Sequence, residues 1–112
     1  MKMYTTPEQT ANLIELGFEK PKNERWVLDV ANESTPSIQN LVKRQDYSIG
    51  ELLSFLPLSF NNDDYYARTI RASKVMYCDP YLDWIEIEWI KHEELIDNLF
   101  DACVELKEEG VL

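Results

Sequence analysis

The chain has 112 residues, 45% of them apolar and 29% charged, with 21 acids against 11 bases and a net charge of −10. These are the proportions of one folded domain long enough to build a core unaided, and they exclude a disordered or disulfide-stapled polypeptide. The acid excess repels nucleic acid and anionic membrane and attracts basic partners, and no basic stripe exists to argue otherwise.

The opening MKMYTTPEQ has one lysine and no apolar run, so it does not read as a secretory signal. No segment approaches the roughly 18 uninterrupted apolar residues of a membrane span. Cys78 and Cys103 are too few for a disulfide framework, and a buried, reduced Cys103 in a cytoplasmic protein is expected.

Thr6 begins the first element. It can cap a helix, Pro7 suits the first helical position, and Gln9 is placed to close a capping box. Ala11, Leu13 and Ile14 are expected to point inward, with Gly17 as the stop and Phe18 packing back. Residues 24–30 (ERWVLDV) alternate as a strand, with Trp26, Leu28 and Val30 on one side and Arg25, Val27 and Asp29 on the other. Residues 31–46 hold turn chemistry from Ser34 to Ser37, and 38–42 suit a short strand or a helical turn; the segment reads as mostly irregular. Ser48 and Glu51 have capping-box spacing at the head of a second helix carrying Leu52, Leu53, Phe55 and Leu56, which Pro57 ends.

Residues 65–77 read as one long strand and residues 82–90 as another, joined in an antiparallel hairpin at Asp79 and Pro80. The alternative turn is at Ala72, Ser73 and Lys74. In the second strand Ile85, Ile87 and Trp89 share one face, and Trp84, Glu86 and Glu88 the other. A closing helix is expected over 92–109, with Gly110 as its stop and a stripe of Leu95, Leu99, Cys103 and Leu106 flanked by Ile96, Phe100 and Ala102. The expectation is a single α+β domain over residues 1–112. Its order is α-β-α-β-β-α, with the helices on one face of a small antiparallel sheet and the other face partly wet.

Charge is unevenly spread. Residues 1–74 hold ten acids and nine bases, whereas 75–112 hold eleven acids and two bases. On the closing helix Glu93, Asp97, Asp101 and Glu105 recur every four residues, about 6 Å apart. Like charges so placed cost the helix a few tenths of a kcal/mol each, which a buried apolar stripe easily offsets. The row is therefore open to three readings. It is a solvated face; or it joins Glu86 and Glu88 in a surface for a basic partner or a mimic of a phosphate backbone; or it pairs internally with Arg68, Arg71 and Lys74. Tyr65, Tyr66, Tyr77, Tyr81 and Trp84 gather at the hairpin and suit either burial, an interface such as a homodimer, or a ligand pocket lined by Tyr65, Tyr66, Trp84 and carboxylates.

No cofactor or metal is expected. Asn61, Asn62, Asp63 and Asp64, with Asp79 and Asp83, lack the glycine and closing glutamate of a calcium loop, and two distant cysteines with one histidine are not zinc spacing. Glu88 and Lys91 do not share a strand face as a nuclease pair would. His92, the sole histidine, reads as an exposed helix-end residue, and no nucleophile elbow, phosphate loop or dinucleotide fingerprint occurs. The chain reads as non-enzymatic, acting through contact with a protein partner.

Three stretches, TTPEQTANLIELGF, YSIGELLSFLP and NLFDACVELKEEGVL, run in order from one end of the chain to the other. They resemble a family of short uncharacterised proteins of prophages and mobile elements in anaerobic gut bacteria. That family opens on "T-x-E-Q-x-x-x-L-x-x-L-G", continues with "S-L-x-x-L-x-x-L-L-P" and ends on "D-A-x-x-x-x-x-x-L". Pro7, Glu8, Gln9, Leu13, Leu16 and Gly17 fill the first motif, Leu52, Leu53, Leu56 and Pro57 the second, and Asp101 and Ala102 the third. These are caps and core positions, so the resemblance implies a shared fold and transfers no catalytic or binding residue.

Overall fold

The computed structural model describes residues 1–28, 41–60, 66–79 and 84–112. Helix α1 (Pro7–Glu15) begins as its residues dictate: the Gln9 amide donates to Thr6 Oγ1, and the Thr6 amide donates to Gln9 Oε1. It ends at Gly17, φ +102°, where the Gly17 amide donates to the Ile14 carbonyl and the Phe18 amide to that of Leu13. The buried face is set by Thr10 and Leu13, and Ala11, expected inside, is exposed. The helix is rotated by a polar attachment: the Thr10 hydroxyl donates to Asp46 at 2.6 Å.

Strand β1 (Glu24–Leu28) pairs antiparallel with β2 (Leu41–Gln45) to form a two-stranded ribbon. β2 lies where irregular chain was expected; residues 29–40, with the end of the predicted strand and the turn at Ser34, fall outside the described residues. Helix α2 (Ile49–Phe55) carries the second capping box, between Ser48 and Glu51. It stops at Leu56, ahead of Pro57.

The main sheet is antiparallel, in the order β3 (Ser59–Phe60), β4 (Tyr66–Arg71), β5 (Lys74–Asp79), β6 (Trp84–Trp89). The long strand expected over 65–77 is two strands, because the chain turns at Ala72 and Ser73 and sets Arg71 opposite Lys74. Ala72 has φ +52°, the left-handed geometry that the first position of a tight hairpin loop requires. The second expected hairpin exists as well: β5 ends at Asp79 and pairs antiparallel with β6, with a register shift at Tyr77 and Cys78. Its connection, residues 80–83, is outside the described residues.

Helix α3 (Leu95–Glu108) starts at Leu95 rather than His92. The fully buried Asn98 is the reason. Its Oδ1 accepts from the His92 amide at 3.0 Å, and its Nδ2 donates to the carbonyls of His92 and Ser73. Bonded this way, the His92 backbone closes a bend. Glu94 takes the N-cap position without a side-chain cap bond. At the other end Gly110, φ +82°, repeats the stop seen at Gly17, with the Val111 amide donating to Leu106.

The apolar stripe of α3 (Ile96, Leu99, Ala102, Cys103, Leu106) meets Leu13 of α1, Leu52 of α2, Leu56 and Tyr47, and Val75, Tyr77 and Trp89 of the sheet. Each large side chain so buried contributes about 1.5–3 kcal/mol. The fold is α+β, with helices on one face of an antiparallel sheet. Met76, pointing to the opposite face, is also buried, so that face is not wholly wet. Tyr77, placed by sequence in a hairpin aromatic cluster, is a core residue whose hydroxyl donates to the Pro57 carbonyl at 2.6 Å. Among the described residues, no helix is long and apolar enough to cross a membrane.

Candidate functional site

The acidic row of α3 is mostly occupied from within the chain. Asp97 Oδ1 accepts from Lys2 Nζ at 2.7 Å and from Gln9 Nε2 at 2.9 Å. Asp101 Oδ2 lies 2.8 Å from His92 Nε2, which makes His92 a half-buried partner of the helix and not the free end residue expected. Glu105 accepts the indole N–H of Trp89. Of these four acids only Glu93, exposed and ahead of the helix, lacks such a bond among the described residues. Partners come from the N-terminal segment, α1 and the end of β6; Arg68, offered by sequence as an internal partner, instead donates to the carbonyls of Leu53 and Leu56.

Glu88 does not extend this row. Its neighbour Trp89 points to α3, and successive strand residues point to opposite faces, so Glu88 faces away from the helix. Tyr66, Trp84 and Glu86 take places in β4 and β6, but their side chains, like the whole of Tyr65, lie outside what is described. The carboxylates open to solvent along α3 are thus Glu93, Glu105, Glu108 and Glu109, and among the described residues none of them pairs with a base.

One residue that no sequence motif singled out organises the polar interior. Asp46, 1% exposed, receives Thr10 Oγ1, Arg44 Nη2 at 2.9 Å and Arg25 Nη2 at 3.2 Å. Burial raises its carboxyl, but the bonds from Arg44 and Thr10 and the charges of Arg44 and Arg25 outweigh this and hold it below 3.8. Arg25 also stacks on Tyr4, 4.1 Å from the ring centre. The cluster therefore fastens the β1–β2 ribbon to α1 and the N-terminal segment. Asp97 behaves alike: burial raises its carboxyl, and Lys2 and Gln9, with the charges of Lys2 and His92, bring it below 3.8. The Cys103 thiol is pushed by burial up to about 12, so it stays protonated at neutral pH and is no nucleophile.

A cavity of about 440 Å³ opens where the end of α1, α2 and the last turn of α3 converge, lined by Gly17, Phe18, Glu19, Ser54, Phe55, Lys107 and Leu112. The Phe18 and Phe55 rings lie 5.1 Å apart, and Lys107 Nζ sits 5.5 Å from the centre of the Phe18 ring. No family model, no curated protein and no solved structure matches this chain.

Proposed function

We propose that this is a non-enzymatic accessory protein that acts by contact with a basic protein partner along the outward face of α3. The observation that carries the reading is that Glu93, Glu105, Glu108 and Glu109 are exposed and form no ion pair among the described residues. Residues 75–112 carry eleven of the 21 acids and two of the 11 bases, so their field steers cations. Mimicry of a phosphate backbone is the less favoured form of this reading, since Asp97 and Asp101 are taken up by Lys2 and His92 and an even row of free charges is lost. Membership of the mobile-element family belongs to the same proposal. Its support is that the motif residues Thr6, Gln9, Gly17, Leu52 and Leu56 act here as caps, stops and core.

The test is capture from a lysate of the organism that carries the protein, using the wild type and a variant with Glu93→Gln, Glu105→Gln, Glu108→Gln and Glu109→Gln. In Glu105→Gln the amide oxygen still offers Trp89 an acceptor, so the fold is kept. The expected result is a basic protein held by the wild type, released by moderate salt and lost by the variant. No captured protein, or one the variant keeps, overturns the proposal.

A further inference from the structure

In a chain with nearly two acids per base, most described cations at half-buried positions have found a carboxylate: Lys2 has Asp97, and Arg25 and Arg44 share Asp46. Lys107 has not. It is half-buried, it rims the cavity, and among the described residues its ammonium makes no ion pair, lying beside Gly17 and over the face of Phe18. The cavity floor is apolar, built from Phe18, Phe55 and Leu112, and Gly17 supplies no side chain to fill it. Ser54 stands beside it, but its hydroxyl already donates to the Glu51 carbonyl at 2.6 Å and can only accept a further bond. In the adjoining hollow the Lys22 backbone amide donates to Glu51 at 3.2 Å, and the Lys22 ammonium lies 3.9 Å from the Glu19 carboxylate.

We propose that this cavity binds a small carboxylate with an apolar body, the size of octanoate, whose carboxylate meets Lys107 and whose tail covers Phe18 and Phe55. One cation with Glu19 close by suits a single negative charge and disfavours a phosphate or any multiply charged anion. A charge-assisted bond from Lys107 is stronger than a neutral one and fixes the head of the ligand, and the Phe18 and Phe55 rings beside it give the apolar tail a surface to cover. The volume lies within the ordinary range for small-molecule sites. This site is separate from the outward face of α3, so either proposal can fail alone.

The experiment is an amide NMR titration of the full chain with octanoate, octan-1-ol and octylammonium, repeated on Lys107→Met, whose unbranched side chain still lies over Phe18. Octanoate is expected to shift Gly17, Phe18, Phe55 and Lys107 saturably and to bind about tenfold more tightly than octan-1-ol. In Lys107→Met it should fall to the level of the alcohol, while the alcohol is unchanged. Five results overturn the proposal: equal binding of acid and alcohol, preference for the ammonium, shifts centred elsewhere, no saturable shift, or undiminished octanoate binding by the variant.

Discussion

Asp46 is the single fully buried carboxylate among the described residues, and three side chains from three parts of the chain converge on it. Asp46→Asn leaves the guanidinium groups of Arg25 and Arg44 facing a neutral amide. Both arginines reach water, so the expected loss is about 2 kcal/mol, below the range for a wholly buried pair, read as a lower urea midpoint at unchanged slope. Thr10→Val removes the hydroxyl that bridges α1 to Asp46 and is expected to cost about 1 kcal/mol. Acid acts on the same groups. Asp46 and Asp97 lie below 3.8 in the fold, so the stability they supply is complete at neutral pH. It begins to go as pH falls past that value and is lost beneath the folded values. Stability of the wild type should therefore fall more steeply on acidification than that of Asp46→Asn.

At the scale of elements, the helix starts at Thr6 and Ser48 and the stops at Gly17 and Gly110 were legible in the sequence, because each is decided by residues within one turn. The rest was set by distant partners or by silent backbone. Ala72 gives no sign of its positive φ, so the sequence favours the turn at Asp79 and Pro80 over the one dividing β4 from β5. Asn98 moves the start of α3 by bonding across to His92 and Ser73, and β2, a polar run (LVKRQ), is a strand because β1 lies beside it. The acidic row was visible, but its owners were not: Lys2 is 95 positions from Asp97 in sequence. Two substitutions follow. Gly110→Ala places a Cβ in open space, so its expected cost of about 1 kcal/mol isolates backbone strain. Ala72→Gly relieves strain of the same kind, partly offset by the looser unfolded chain, and is expected to raise stability by about 0.5 kcal/mol. Thermal melts of both variants check the signs.

Over the whole molecule the extents are 55 × 27 × 18 Å with a radius of gyration of 16.5 Å, against about 13 Å for a compact chain of this length. The ribbon of β1 and β2 packs mainly on itself, with Trp26 61% exposed, and it is held by the Asp46 cluster where α3 is held by an apolar core. Amide exchange should therefore be faster in 24–28 and 41–45 than in β5, and faster still there in Asp46→Asn. The N-terminal segment completes the design: Lys2 reaches α3, Tyr4 lies against Arg25, and Thr5 exchanges bonds with Tyr47. The central claim is that the acidic third contains two populations, carboxylates that bind the chain to itself and carboxylates left for a partner. Asp97 decides it. In a carboxyl-detected NMR titration its side chain should protonate below 3.8 in the wild type and move upward in Lys2→Met. The same value in both proteins would contradict the account, since Asp97 would then be one more solvated acid.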